Sequence, residues 1–171
     1  MKVGLYLASS LNGFITRGID DSDWVDDWEI FTSKIKEYRC IVMGRKTYES
    51  AEKLFPYENA LNIVLTSSAI VSTDERKYVF LKAKPQEVIK YVQDKGFDQI
   101  LLIGGTDTVT DFLSQNLVND IFITFHPYLF GNGKKIFNDI PNFETKLKLV
   151  SSTQLKPGLL TLHYQTIINL N

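Results

Sequence analysis

Short, largely apolar runs that alternate with segments of helical period constrain this chain more than any other feature. The runs cover residues 2–8, 39–43, 61–66, 78–81, 99–103 and 120–125. Each is of strand length and apolar at most consecutive positions, which predicts strands covered on both faces rather than wetted on one. Between them, apolar residues return at three- and four-residue spacing. Trp24, Trp28, Phe31 and Ile35 predict a helix over 24–37, and Asp20-Asp21-Ser22-Asp23 just before it supplies capping residues. A helix over 46–54 is expected to stop before Pro56, one opened by Pro85 to close at Gly96, and another to cover 107–115. The turn Leu11-Asn12-Gly13 leads into a short extended piece at 14–16. Near the end the pattern changes, because segments 146–154 and 159–168 flank Lys156-Pro157-Gly158, a hairpin signal. The prediction is a three-layer α/β fold: a mostly parallel sheet, helices on both faces, and an antiparallel hairpin at one edge. The 171 residues carry no repeat or linker and are read as one domain, 1–171.

Composition removes several function classes. The net charge is −1 and the isoelectric point near 6.1, so there is no basic face for nucleic acid. No segment approaches the roughly 20 apolar residues that span a bilayer. The single cysteine, Cys40, lies inside the apolar run Cys40-Ile41-Val42-Met43 and reads as a small buried hydrophobe in a reducing compartment. A cytoplasmic protein is expected. His126 and His163 have no Cys or acidic neighbours at ligand spacing, so no metal site is expected. Ser-His-Asp chemistry has no nucleophile elbow to stand on.

Two strand-to-helix junctions are suited to phosphate. In sheets of this kind ligands bind beyond the carboxyl ends of the strands, where helix N-termini present free N–H groups. At the first junction, Met43-Gly44-Arg45-Lys46-Thr47, Gly44 permits a close turn, Arg45 and Lys46 add charge, and Thr47 can cap the helix or donate to an anion. At the second, Ile103-Gly104-Gly105-Thr106-Asp107, paired glycines precede a helix start. Neither fits the Walker or G-x-G-x-x-G pattern, and together they favour a dinucleotide.

The segment Met43-Gly44-Arg45-Lys46-Thr47-Tyr48-Glu49-Ser50 resembles the cofactor signature of dihydrofolate reductases. The resemblance continues through Leu61-Asn62-Ile63-Val64-Leu65-Thr66-Ser67, Ile103-Gly104-Gly105 and Ile121-Phe122-Ile123-Thr124. It implies a dihydrofolate-reductase-like fold and NADPH as cofactor. Arg45 and Ser67 would hold the 2′-phosphate and Lys46 and Thr47 the pyrophosphate. Gly104-Gly105 would form a cis peptide beside it, and Ala8, Thr66, Thr106 and Asp107 would complete the cofactor site. The family places one acid on the first helix. Asp23, Asp26 and Asp27 all compete for that part, and all three also suit a helix N-terminus through its dipole. Asp27 has Phe31 one turn on, as the family's carboxylate has, and Thr124 matches the threonine that steadies it. An acid against an apolar wall suits general-acid work.

The departures are as specific as the matches. Dihydrofolate reductases carry an arginine shortly before the strand at 61–66, to clamp the substrate's glutamate tail; here that position is Ala60, with Glu58 close by. The usual Trp-x-Leu-Pro is replaced by Asp23-Trp24-Val25-Asp26-Asp27. Ser9-Ser10-Leu11-Asn12-Gly13-Phe14-Ile15 instead resembles the opening of the RibD-type reductase domain of riboflavin biosynthesis. Pro127-Tyr128-Leu129-Phe130-Gly131-Asn132-Gly133 through Phe137 resembles that domain's Pro-x-x-x-Gly-x-Gly-x-x-x-Phe. That branch reduces the ribosyl group of a pyrimidine ribosylamine phosphate. The resemblance implies a heterocyclic small-molecule substrate, with Asn12 and Phe31 as its contacts; Lys134-Lys135 reads either as a solvated pair or as a counter-charge for a substrate phosphate. The resemblance also implies a homodimer, with which an apolar edge near 121–130 is compatible. The rival reading is a non-catalytic nucleotide-binding protein that kept the cofactor site and lost the substrate site.

Overall fold

The computed structural model describes residues 1–18, 22–51, 54–68 and 77–167. Eight strands enter one sheet: β1 (Lys2–Ser10), β2 (Cys40–Gly44), β3 (Leu61–Leu65), β4 (Tyr78–Leu81), β5 (Gln99–Leu102), β6 (Asp120–His126), β7 (Lys146–Lys156) and β8 (Leu159–Ile167). Their order is β4-β3-β2-β5-β1-β6-β8-β7. The first six run parallel, and the hairpin β7–β8 joins antiparallel through β8 against β6. Among the described residues four helices connect them: α1 (Trp28–Tyr38), α2 (Arg45–Ser50), α3 (Pro85–Asp94) and α4 (Thr106–Ser114). This is the predicted dihydrofolate-reductase-like arrangement.

Strand alternation sorts the runs into two cores. Cys40 and Val42 of β2 join Val88, Val92, Val109 and Phe112 under α3 and α4. Ile41 and Met43 join Ile35 and Tyr38 under α1 on the other face. That two-sided burial is why the central strands are apolar at consecutive positions. β1 lies between β5 and β6, so the chain leaves it towards β2 and returns beside it with β6. A crevice opens at such a reversal, beyond the carboxyl ends of the strands.

Three local expectations are corrected. The helix expected over 24–37 begins only at Trp28. Trp24 is buried instead against His126, Tyr128 and Phe130, ring to ring, and this distant pocket outweighs its helical spacing. The piece at 14–16 forms no strand, only an isolated bridge from Phe14 to Lys135. The helix expected over 46–54 is α2, which ends at Ser50; residues 52 and 53 lie outside the described residues, as does Ile168 of the hairpin. No helix among the described residues is long and apolar enough to cross a membrane.

Candidate active site

A cleft of about 1140 Å³ occupies the crevice at the carboxyl ends of the central strands. Its floor is Tyr6, Leu7 and Ala8 of β1, and its sides are the two glycine junctions, the start of α1 and the loop that follows β6.

The junctions adjoin because β2 and β5 are neighbours. The Gly44 N–H donates to the Gly104 carbonyl at 2.9 Å. A Cβ on Gly44 would lie 2.9 Å from Thr108 Oγ1, and one on Gly105 would lie 3.1 Å from Thr47 Oγ1. Glycine therefore lets the two backbones meet here. The Gly104-Gly105 peptide is cis. Thr47 does not cap α2, which has no side-chain cap, and α4 has none either; the Thr47 hydroxyl rests against the two glycines instead.

Arg45, Lys46, Thr47, Thr66, Ser67, Thr106 and Asp107 all line the cleft, as do Ala8 and the three glycines. Some already have partners. Arg45 Nε donates to Glu49 Oε1 at 2.8 Å, and Nη1 to Ser68 Oγ at 3.4 Å. The serine touching the guanidinium is thus Ser68, while the Thr66 hydroxyl accepts from its N–H at 3.1 Å. Thr106 Oγ1 donates to the Lys135 carbonyl at 2.8 Å, and Asp107 Oδ1 accepts from Asn138 Nδ2 at 2.8 Å. These two side chains tie the β6–β7 loop to the start of α4, whose first residues line the cleft. Lys134 and Lys135 line the same wall, Lys135 paired with Asp139 at 3.7 Å.

At the other end the three aspartates separate. Asp23 pairs with Arg17 at 2.6 Å and Asp26 with Lys156 at 2.7 Å, both on the surface. Asp27 alone is buried, at 4% exposure, and lines the cleft. It stands at the N-cap of α1 but makes no side-chain cap. Its Oδ2 accepts instead from the Tyr6 hydroxyl at 2.7 Å. Tyr6 Oη lies 3.2 Å from Thr124 Oγ1, which lies 2.9 Å from Thr161 Oγ1. Thr124 is fully buried and meets the carboxyl through Tyr6. Burial first, and the Asp27 charge second, push the Tyr6 phenol far above its ordinary range, so it stays a donor.

Phe31 walls this end, with ring centroids 5.5 Å from Tyr6, 5.4 Å from Trp28 and 5.5 Å from Tyr57. Burial lifts the Tyr57 phenol to about 12, leaving a neutral, largely apolar surface at neutral pH. Asn12 does not reach the cleft. Its Nδ2 donates to the Phe130 carbonyl at 2.8 Å, and its Oδ1 accepts from the Phe130 N–H at 3.1 Å and Ser10 Oγ at 2.9 Å. That closed ring ties the loop after β1 to the loop after β6, so Asn12 shapes the site from behind. Neither Ala60 nor Glu58 lines the cleft. Among the described residues no cluster of His, Cys, Asp or Glu could hold a metal. Cys40 is wholly buried, and burial lifts its thiol to about 12.

Sequence reasoning missed Tyr6. The available signal was a phenol inside the apolar stretch 3–8 of β1, two positions before Ala8 on the same face.

Residues 1–161 match the RibD C-terminal domain family. The chain is 30% identical to YwjB of Bacillus subtilis strain 168, an uncharacterized protein, over 95% of this chain and 97% of YwjB. A Shewanella sp. PV-4 protein named for riboflavin biosynthesis superposes with a TM-score of 0.84 at 23% identity, covering 98% of this chain and 100% of that one. The diaminohydroxyphosphoribosylaminopyrimidine deaminase/5-amino-6-(5-phosphoribosylamino)uracil reductase of Thermotoga maritima superposes with a TM-score of 0.78 at 18% identity, covering 97% of this chain and 56% of its own. A pyrimidine reductase-like protein of Corynebacterium diphtheriae gives 0.73 at 15% identity, over 98% of this chain and 92% of that one. Fold, junctions and sequence agree: this chain belongs to the RibD C-terminal domain family.

Proposed function

We propose that this chain is an NADPH-dependent reductase that transfers hydride to a pyrimidine- or pteridine-type small molecule lying over Asp27. One observation carries the reading: a single cleft joins two glycine-bearing strand-to-helix junctions to a buried carboxyl. The family, and the reductase activity named for the Thermotoga maritima relative, support the same chemistry.

The residues fit a dinucleotide phosphate. Where Gly44 and Gly105 stand, a Cβ would narrow the approach to the backbone, and no side chain caps the first turn of α4. Arg45 at the rim offers a planar fork suited to a 2′-phosphate, which favours NADPH over NADH. When bound, the cofactor supplies hydride. The chain's own residues do the remainder: Trp28, Phe31 and Tyr57 wall the substrate ring and exclude water, and Asp27 gives a proton directly or through one water. Ala60, where a dihydrofolate reductase has its arginine, turns the reading from folate towards a pyrimidine ribosylamine phosphate.

NADPH oxidation, followed by absorbance against pyrimidine ribosylamine phosphates, dihydropteridines and dihydrofolate, tests the reading. Turnover on one of the first two classes, faster with NADPH than with NADH, is expected. NADPH binding without oxidation across the panel would mark a nucleotide-binding protein, and a preference for NADH would remove the Arg45 assignment.

A further inference from the structure

Reduction of a C=N bond takes one hydride at carbon and one proton at nitrogen, so an acid that serves it must be recharged every cycle. Asp27 is poorly placed for recharging from the cleft. It is 4% exposed, and Phe31 and bound ligands would shut out the remaining water. Behind it, however, three hydroxyls line up. Tyr6 of β1 touches Asp27 at 2.7 Å, Thr124 of β6 follows at 3.2 Å, and Thr161 of β8 at 2.9 Å. Tyr6 and Thr124 are buried, whereas Thr161 is partly exposed and pairs across the hairpin with the exposed Thr153 of β7. The row therefore crosses β1, β6 and β8 on one face and ends near water.

We propose that Tyr6, Thr124 and Thr161 form a proton path that recharges Asp27 from the β7 edge of the sheet while ligands fill the cleft. This rests on the reading of Asp27 as the proton donor. After Asp27 gives up its proton, Tyr6 passes its hydroxyl proton to Asp27 Oδ2. Thr124 passes its own to Tyr6 Oη, Thr161 to Thr124 Oγ1, and a solvent hydronium to Thr161 Oγ1. One proton enters, one reaches Asp27, and each hydroxyl ends with one proton. The protons shift together, since a buried tyrosinate beside a carboxylate would be costly. The Tyr6–Thr124 step is the longest and limits passage. Thr161 is a positioning residue, because it touches neither substrate nor cofactor.

The path is tested without substrate or cofactor by labelling tyrosine with carbon-13 at Cζ and measuring how fast the Tyr6 hydroxyl exchanges between H2O and D2O; Tyr6→Phe identifies the resonance. Thr161→Val is expected to slow that exchange about tenfold, the effect of one buried hydrogen bond, and Thr161→Ser to restore it. Thr124→Val, of nearly the same shape, should slow it likewise and serves if Thr161→Val fails to fold. Exchange unchanged in the folded valine variants overturns the path. With NADPH and a pyrimidine ribosylamine phosphate, Thr161→Val is expected to keep the rate of the first turnover and lose steady-state rate. Equal losses in both phases also overturn the proposal. Slowed exchange in a protein that never oxidises NADPH would leave the path standing and remove the reductase reading; normal turnover with unchanged exchange would do the reverse.

Discussion

Arg45 and Glu49 sit one helical turn apart at the cleft rim, 2.8 Å from Nε to Oε1. Both are more than half exposed, so the pair holds the guanidinium loosely and a phosphate dianion can compete for it. Arg45→Ala is expected to weaken NADPH binding by about 10- to 100-fold, the range for charged hydrogen bonds, while leaving NADH binding nearly unchanged. Calorimetric titration with each nucleotide measures this, and equal losses for both would show that Arg45 does not read the 2′-phosphate. The proposed acid, Asp27, is a different kind of residue. Its work depends on a buried position at the start of α1 and on Tyr6 behind it, so Asp27→Asn is expected to preserve nucleotide affinity and lower turnover by about 10²- to 10⁴-fold. An Asp27→Asn enzyme of undiminished rate would remove it from the chemistry.

The segment before α1 is held by elements far away in the chain. The Asp26 N–H donates to His126 Nε2 at 3.0 Å, Lys156 from the hairpin reaches Asp26 at 2.7 Å, and Trp24 is packed edge-on against His126 and Phe130. These ties differ in weight. Trp24→Ala should cost about 3–5 kcal/mol of stability, whereas Lys156→Ala, which removes an exposed ion pair, should cost less than about 1 kcal/mol. Chemical denaturation compares them, and equal costs would mean that the segment is held by charge rather than by packing. The same ties explain what could be read from the sequence. The strands were legible because burial on both faces leaves an unbroken apolar run, as in Cys40–Gly44. The junctions were legible because a glycine at a strand end admits close backbone. The start of α1 was not, since Trp24 has helical spacing yet is claimed by a pocket about a hundred residues on. Asn12 sits in a recognisable motif, but its bonds to Phe130 depend on two loops meeting. Tyr6 and Asp27 meet only once β1 and α1 are packed, a pairing that no spacing along the chain encodes.

Across the whole molecule, burial sets how the fold responds to alkali. Cys40 is lifted from 9.0 to about 12 and Tyr57 from 10.0 to about 12. Both are neutral in the folded chain where the unfolded chain already ionises. Above pH 9 the unfolded state therefore binds fewer protons, and stability falls as pH rises. The melting temperature is expected to hold up to about pH 9, the unfolded thiol's range, and to decline steadily towards 12. Cys40→Ala should make the decline start later and run less steeply; an unchanged slope would show that the thiol is not what couples this core to pH. The central step of the proposed reaction is hydride reaching a substrate over Asp27. Incubation with NADPH deuterated at both C4 positions and with a pyrimidine ribosylamine phosphate or a dihydropteridine, read by mass spectrometry, tests that most directly. A product carrying one deuterium, strongly diminished in Asp27→Asn, is the predicted result. A product without deuterium, or NADPH left unconsumed, would contradict it.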